Sequence, residues 1–90
     1  MSAHHRVIEI TNRRGLHARA SAKFVTVAST LSAKVEVEKD GNRVCGTSIM
    51  GLMMLGAAMG DTIVIHCEGD GCIEAIDQLT ALVEGRFGED

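Results

Sequence analysis

Lys34-Val35-Glu36-Val37-Glu38-Lys39-Asp40-Gly41-Asn42-Arg43-Val44-Cys45 is the stretch on which the fold turns. From Lys34 to Lys39 charged and β-branched residues alternate strictly. The two-residue repeat of a strand puts Val35 and Val37 on a core face and the charges in water. Asp40-Gly41 supplies a tight hairpin turn, and Arg43-Val44-Cys45 returns beside it. An antiparallel pair is therefore predicted at the centre of the chain, and the other elements have to fit around it.

Upstream, Val7 to Ile10 is a short β-branched run that ends in the loop-forming Thr11-Asn12-Arg13-Arg14-Gly15. From Ala18 to Leu31 the apolar residues Phe24, Val25, Val27, Ala28 and Leu31 recur at helical spacing. Downstream, Ser48 to Leu55 reads as a short helix, Thr62 to Cys67 as a strand carrying Ile63 and Ile65, and Gly69-Asp70-Gly71 as a turn. A last helix shows a buried stripe of Ile73, Ile76, Leu79 (or Thr80), Val83 and Phe87. Glu74 and Asp77 stand near its positive end and Arg86 near its negative end. The order β-α-β-β-α-β-α predicts an α+β fold in a single domain, residues 1–90, with the helices on one face of a mainly antiparallel sheet.

Composition narrows the function. A chain of 90 residues with no proline, tryptophan or tyrosine, two phenylalanines and five methionines builds one aliphatic core and no second domain. The aromatic platforms of single-strand nucleic-acid binders are missing. Residues 1–43 carry a net charge of +4 and residues 44–90 a net charge of −7, so a local basic site sits on an acidic body, an arrangement suited to a phosphorylated partner. The uncharged stretch from Val44 to Gly60 is too short and too glycine-rich for a membrane span. Cys45, Cys67 and Cys72 cannot all pair, and their spacing fits neither a redox pair nor a zinc knuckle. They are read as buried free thiols of a reducing cytosol, consistent with an N-terminus that lacks a basic-then-apolar signal.

Two segments have chemistry in them. A helix starting near Ala18 leaves its first N–H groups open, yet the residue before it is His17, a poor cap, and Gly15 and Leu16 offer no replacement. Open donors, the positive helix end and Arg13, Arg14 and Arg19 describe an anion site with a titratable nitrogen inside it. The local pattern also accommodates a plain surface histidine in a basic patch. No nearby Ser, Cys or carboxylate makes His17 a triad base, and His4-His5, at a fraying end, and His66, facing outward, are not expected to gather into a metal site. In the second segment Ser48 is placed to cap a helix on which Leu52 and Leu55 face the sheet. Ile49, Met50 and Met53 fall on another stripe, either core filler or a docking surface of adaptable thioethers.

Gly15-Leu16-His17-Ala18-Arg19 resembles the active-site signature of the HPr family, the histidine phosphocarriers of the bacterial phosphoenolpyruvate:sugar phosphotransferase system. Gly46-Thr47-Ser48-Ile49-Met50-Gly51-Leu52-Met53-Met54-Leu55-Gly56 resembles that family's regulatory-serine segment. The resemblance implies an open-faced sandwich of a four-stranded antiparallel sheet under three helices, and a carrier rather than an enzyme. Enzyme I would phosphorylate His17 at Nδ1, with Arg19 as charge partner and the Ala18 and Ala20 N–H groups at the phosphate, and EIIA-type proteins would receive the group. It further implies that HPr kinase/phosphorylase modifies Ser48 and that Ile49, Met50 and Met53 form the docking surface. No cofactor, metal, nucleic acid or membrane insertion is expected, and the protein is expected to be a cytoplasmic monomer. One departure stands out: the family usually has proline after the arginine, where this chain has Ala20, so a looser helix start is expected. The Ala20-Ser21-Ala22 variant is similar to HPr chains of alphaproteobacteria, and the alternative output is a regulatory domain of the nitrogen-type or metabolic branch.

Overall fold

The chain runs β1 (Ala3–Glu9), α1 (Ala18–Ser29), β2 (Lys34–Lys39), β3 (Asn42–Cys45), α2 (Ile49–Met54), β4 (Thr62–Glu68) and α3 (Cys72–Glu84), followed by a 3-10 turn (Arg86–Gly88). The computed structural model describes residues 3–89. The strands form one sheet in the order β1-β4-β2-β3, every neighbouring pair antiparallel. The central hairpin closes with Lys39 opposite Asn42. Asp40 and Gly41 take the left-handed φ values of 52° and 82° that a two-residue turn matched to strand twist requires.

Alternation then decides the faces. Val35, Val37, Ile63, Ile65 and Cys67 are buried under the helices, while Glu36, Glu38, Val64 and His66 lie on the other face. From α1 come Ala20, Phe24 and Ala28, from α2 Leu52, and from α3 Ala75, Ile76, Leu79 and Val83. Phe24 and Phe87, the two aromatic side chains of the chain, are both fully buried in this otherwise aliphatic core. The predicted open-faced sandwich, with three helices over a four-stranded sheet, is the fold observed.

Several details differ from expectation. β1 begins at Ala3, not Val7, so His4 and His5 are not frayed: they pair with Cys67 and His66 of β4. Ile10 lies past the strand end but is buried, and its N–H and C=O are satisfied by Asp61 and Gly60. Because Gly71 is the cap of α3, the buried stripe runs through Cys72, Ala75, Ile76, Leu79, Thr80 and Val83. Ile73 falls beside it and is 61% exposed. Arg86 and Phe87 lie beyond α3 in the 3-10 turn, both with left-handed φ, so Arg86 does not sit on the last turn of α3.

The cysteines also divide. Cys67 and Cys72 are buried as expected, but Cys45 ends the edge strand β3 and is exposed. Burial, reinforced by a hydrogen bond with Cys72, pushes the Cys67 thiol up to about 12, whereas hydrogen bonding to Thr47 lowers that of Cys45. The thiolate is the nucleophile, so iodoacetamide at neutral pH should alkylate Cys45 in the native chain, and Cys67 and Cys72 only after denaturation. Peptide mass mapping checks this, and native labelling of Cys67 ahead of Cys45 would contradict the placement.

Candidate functional site

The site begins at Gly15. Its φ is +61°, and a β-carbon there would stand 2.1 Å from the Ala57 carbonyl oxygen, so no larger residue fits. The next N–H, that of Leu16, donates to the same oxygen at 2.9 Å. Together these contacts pin the loop after β1 onto the α2–β4 connection and set where α1 starts.

His17 is the N-cap of α1, with extended backbone and no side-chain cap bond. The first N–H to find an acceptor inside the helix is that of Ser21, which donates to His17 O at 2.9 Å. The N–H groups of Ala18, Arg19 and Ala20 precede it and have no acceptor among the described residues, as the sequence reading expected. Ser21 Oγ turns back to Leu16 O at 3.1 Å and braces the turn without capping it. The helix starts at Ala18 despite the missing proline.

The imidazole itself has a partner that the local sequence did not disclose. Its Nε2 lies 2.7 Å from Glu89 Oε1. Glu89 is delivered by three successive left-handed residues, Arg86, Phe87 and Gly88, of which Phe87 is anchored in the core and gives its carbonyl to Lys23 Nζ at 2.7 Å. Buried Asn12 donates through Nδ2 to the same Glu89 oxygen at 3.0 Å and to Gly15 O at 2.9 Å. The hydrogen bond from His17, then that from Asn12, holds the Glu89 carboxyl below the usual glutamate range. An ionised carboxylate only accepts, so a neutral His17 ring has to carry its proton on Nε2. That leaves the lone pair on Nδ1, which has no hydrogen-bond partner among the described residues.

Arg13, Arg14, Arg19 and Glu89 line an open depression of about 380 Å³. Three exposed guanidinium groups and one carboxylate make it a place for an anion. Ser48 caps α2, its Oγ accepting from Gly51 N at 3.0 Å. Leu52 is buried beneath, while Ile49, Met50 and Met53 are exposed. Met54, at the end of α2 and 81% exposed, adds to this apolar surface beyond the residues picked out from sequence, and Met59, in the connection to β4, is exposed as well; helical phase alone does not separate Met54 from the core. α2 packs on α1, and the connection that follows it is bonded to the loop before His17 through Ala57 O and the Leu16 N–H. His5 and His66 are on the outer sheet face and do not join His17. No helix among the described residues is long and apolar enough to cross a membrane.

The family model for the phosphorylation site of the phosphotransferase-system HPr component matches residues 4–85. The chain belongs to the HPr family. The phosphocarrier protein HPr of Neisseria meningitidis serogroup A is 52% identical over 82 residues, 91% of this chain and 92% of that one. A phosphocarrier protein NPr of Shewanella violacea is 36% identical over 84 residues, 93% of this chain and 92% of that one. Among solved structures, HPr-C-His from Thermoanaerobacter tengcongensis superposes with a TM-score of 0.92 at 46% identity, covering 97% of this chain and 98% of the other. This HPr chain is thus a phosphocarrier of the phosphotransferase system rather than a catalyst, and its family implies partners such as enzyme I and EIIA. Glu89 falls outside the matched residues 4–85.

Gly15→Ala should cost about 1–3 kcal/mol from the left-handed backbone alone. The clash with Ala57 adds to that, and thermal unfolding should drop by roughly 4–8 °C per kcal/mol. An unchanged midpoint would mean that the loop is free of Ala57. For Glu89 the folded carboxyl lies below its unfolded value of about 4.3. Its contribution to stability is therefore complete above that value and is lost as pH falls through the folded value. Carboxyl-carbon NMR titration should show the depressed midpoint in the native chain, and His17→Ala should move it back toward the ordinary range.

Proposed function

We propose that His17 accepts a phosphoryl group at Nδ1 from a phosphohistidine of enzyme I and passes it to a histidine of an EIIA-type protein. The observation that carries this reading is the Nε2 bond to Glu89, which leaves the Nδ1 lone pair free next to three open helix N–H groups. In the forward step the Nδ1 lone pair forms the new N–P bond as the donor's N–P bond breaks, and the donor ring keeps the released electron pair. The proton on Nε2 stays in place, so the phosphorylated ring takes on imidazolium character, and the Glu89 carboxylate offsets that charge.

The phosphoryl oxygens meet the Ala18 and Ala20 N–H groups, and Arg19 supplies a charge-assisted contact. The helix end contributes roughly 0.3–1 kcal/mol, up to about 2, enough to steady the group and too little to trap it. The apolar surface of Ile49, Met50 and Met53 docks both partners. Ser48 is the regulatory site of HPr kinase/phosphorylase; a phosphate at the head of α2 alters the charge of that surface more than the fold. The protein works as a cytoplasmic monomer, without nucleic-acid or membrane partners.

A second reading, a regulatory domain of the nitrogen-type or metabolic branch, has one specific support: the similarity to the phosphocarrier named NPr. In that branch the phosphorylation state sets which partner is bound rather than sugar uptake, and pull-downs should differ between the phosphorylated and unmodified chain.

Intact mass spectrometry tests the relay. Enzyme I with phosphoenolpyruvate should add one acid-labile phosphoryl group, absent in His17→Ala and added more slowly in Arg19→Ala and Glu89→Gln. The serine kinase should add an acid-stable group that Ser48→Ala abolishes. Labelling that persists in His17→Ala overturns the carrier assignment, and loss of kinase labelling in the wild type overturns the role of Ser48 alone.

A further inference from the structure

The face of the sheet turned away from the helices carries a row that the strand register assembles from all four strands. His5 of β1 stands opposite His66 of β4, His66 opposite Glu36 of β2, and Glu36 opposite Cys45 of β3. The two imidazole rings are the close pair, with centres 5.9 Å apart and planes inclined by 35°. They line an open cavity of about 190 Å³ that His4, Lys34, Glu36, Arg43 and Glu68 also border.

His66 is already oriented. Its Nε2 lies 2.7 Å from Glu38 Oε1, so the neutral ring carries its proton there and keeps its lone pair on Nδ1. A carboxylate on one ring nitrogen with a free lone pair on the other is the arrangement that prepares histidine to ligate a metal. The spacing agrees. A metal–nitrogen bond of ~2.0–2.1 Å puts each ring centre roughly 3.2 Å from the ion. Two rings on one ion then stand roughly 4.5–6.4 Å apart for angles at the metal from about 90° to about 180°. The observed 5.9 Å lies inside that interval, and His5, exposed, needs only side-chain rotation to present its nitrogen.

We propose that His5 and His66 form a two-imidazole site for a divalent ion of the copper, nickel and zinc group, with Glu38 as the positioning carboxylate. These are the ions that neutral imidazole suits. Glu36, next in the row, is a candidate third ligand and now holds Arg43 Nε at 2.9 Å. Among the described residues no set of three such groups is already arranged around a common point, so solvent completes the coordination and the affinity is that of a two-histidine chelate. Lys34 and Arg43 oppose a cation here, while Glu36, Glu38 and Glu68 offset them.

The test is titration of the full chain with zinc chloride alone, followed by calorimetry and by NMR of the imidazole nitrogens. One ion should bind per chain, moving the signals of His5 and His66 and sparing His17. His5→Ala and His66→Ala should each weaken binding at least about tenfold and Glu38→Gln by about tenfold. His4→Ala, which borders the cavity but pairs with the inward-facing Cys67 and so alternates to the opposite face of the sheet, should leave binding unchanged. Circular dichroism establishes that each variant is folded, and His5→Gln provides the same reading should His66→Ala unfold. The proposal is overturned by an absence of saturable binding, by binding that survives both histidine variants, or by binding lost in His4→Ala or Cys45→Ser.

Discussion

The contact of Gly15 with the Ala57 carbonyl is the constraint on which the functional end of the molecule depends. Three segments far apart in sequence meet there: the loop after β1, the connection into β4 and, through Asn12, the C-terminal turn. Because Gly15 turns left-handed and Leu16 donates to Ala57, the chain enters α1 with His17 at the cap and no oxygen-bearing side chain there. A helix in an ordinary context would satisfy one of its first donors with Ser, Thr or Asp at a gain of about 1 kcal/mol. Here that gain is forgone, and the open donors and positive helix end remain available to the phosphoryl group of the proposed relay.

How much of this could be read from the chain follows from the range of each signal. The hairpin at Asp40-Gly41 and the helix from Ala18 were legible because turn chemistry and periodicity are local properties. The cap-less helix start was legible for the same reason, and His17 with it. Glu89 was not, because the signal lies 72 residues away and depends on three left-handed residues, two of them non-glycine, that no propensity anticipates. The phase of α3 is not legible at Ile73, because an apolar residue on the edge of a stripe has the same spacing as one inside it; only the packing against β1 and β4 decides. The exposure of Cys45 and the pairing of His4 and His5 are not legible either, because strand ends are set by pairing with a distant partner, not by their own composition.

The charge asymmetry also acquires a location. The basic half of the chain supplies Arg13, Arg14 and Arg19 at one rim, and the acidic half returns a single carboxylate, Glu89, into their midst. A depression lined by guanidinium groups alone would hold a dianion strongly and release it slowly. One carboxylate bonded to the far nitrogen of the ring lowers the net positive charge of the site while raising the electron density on Nδ1. A carrier has to accept and to release with comparable ease, and in the relay proposed for His17 this mixed lining serves both.

Ala20 belongs to the same balance. The proline usual at that position presets the backbone of the first turn but has no N–H to offer. In this chain the first turn forms without it, since Ala20 is fully buried against the core and Ser21 Oγ ties back to Leu16 O. What the substitution gives up in backbone restraint is therefore supplied by packing, and what it adds is a third open donor, the Ala20 N–H, at the head of α1. The departure from the family pattern thus leaves α1 starting at Ala18 with one more open donor at its head, so the relay proposed for His17 does not depend on the proline.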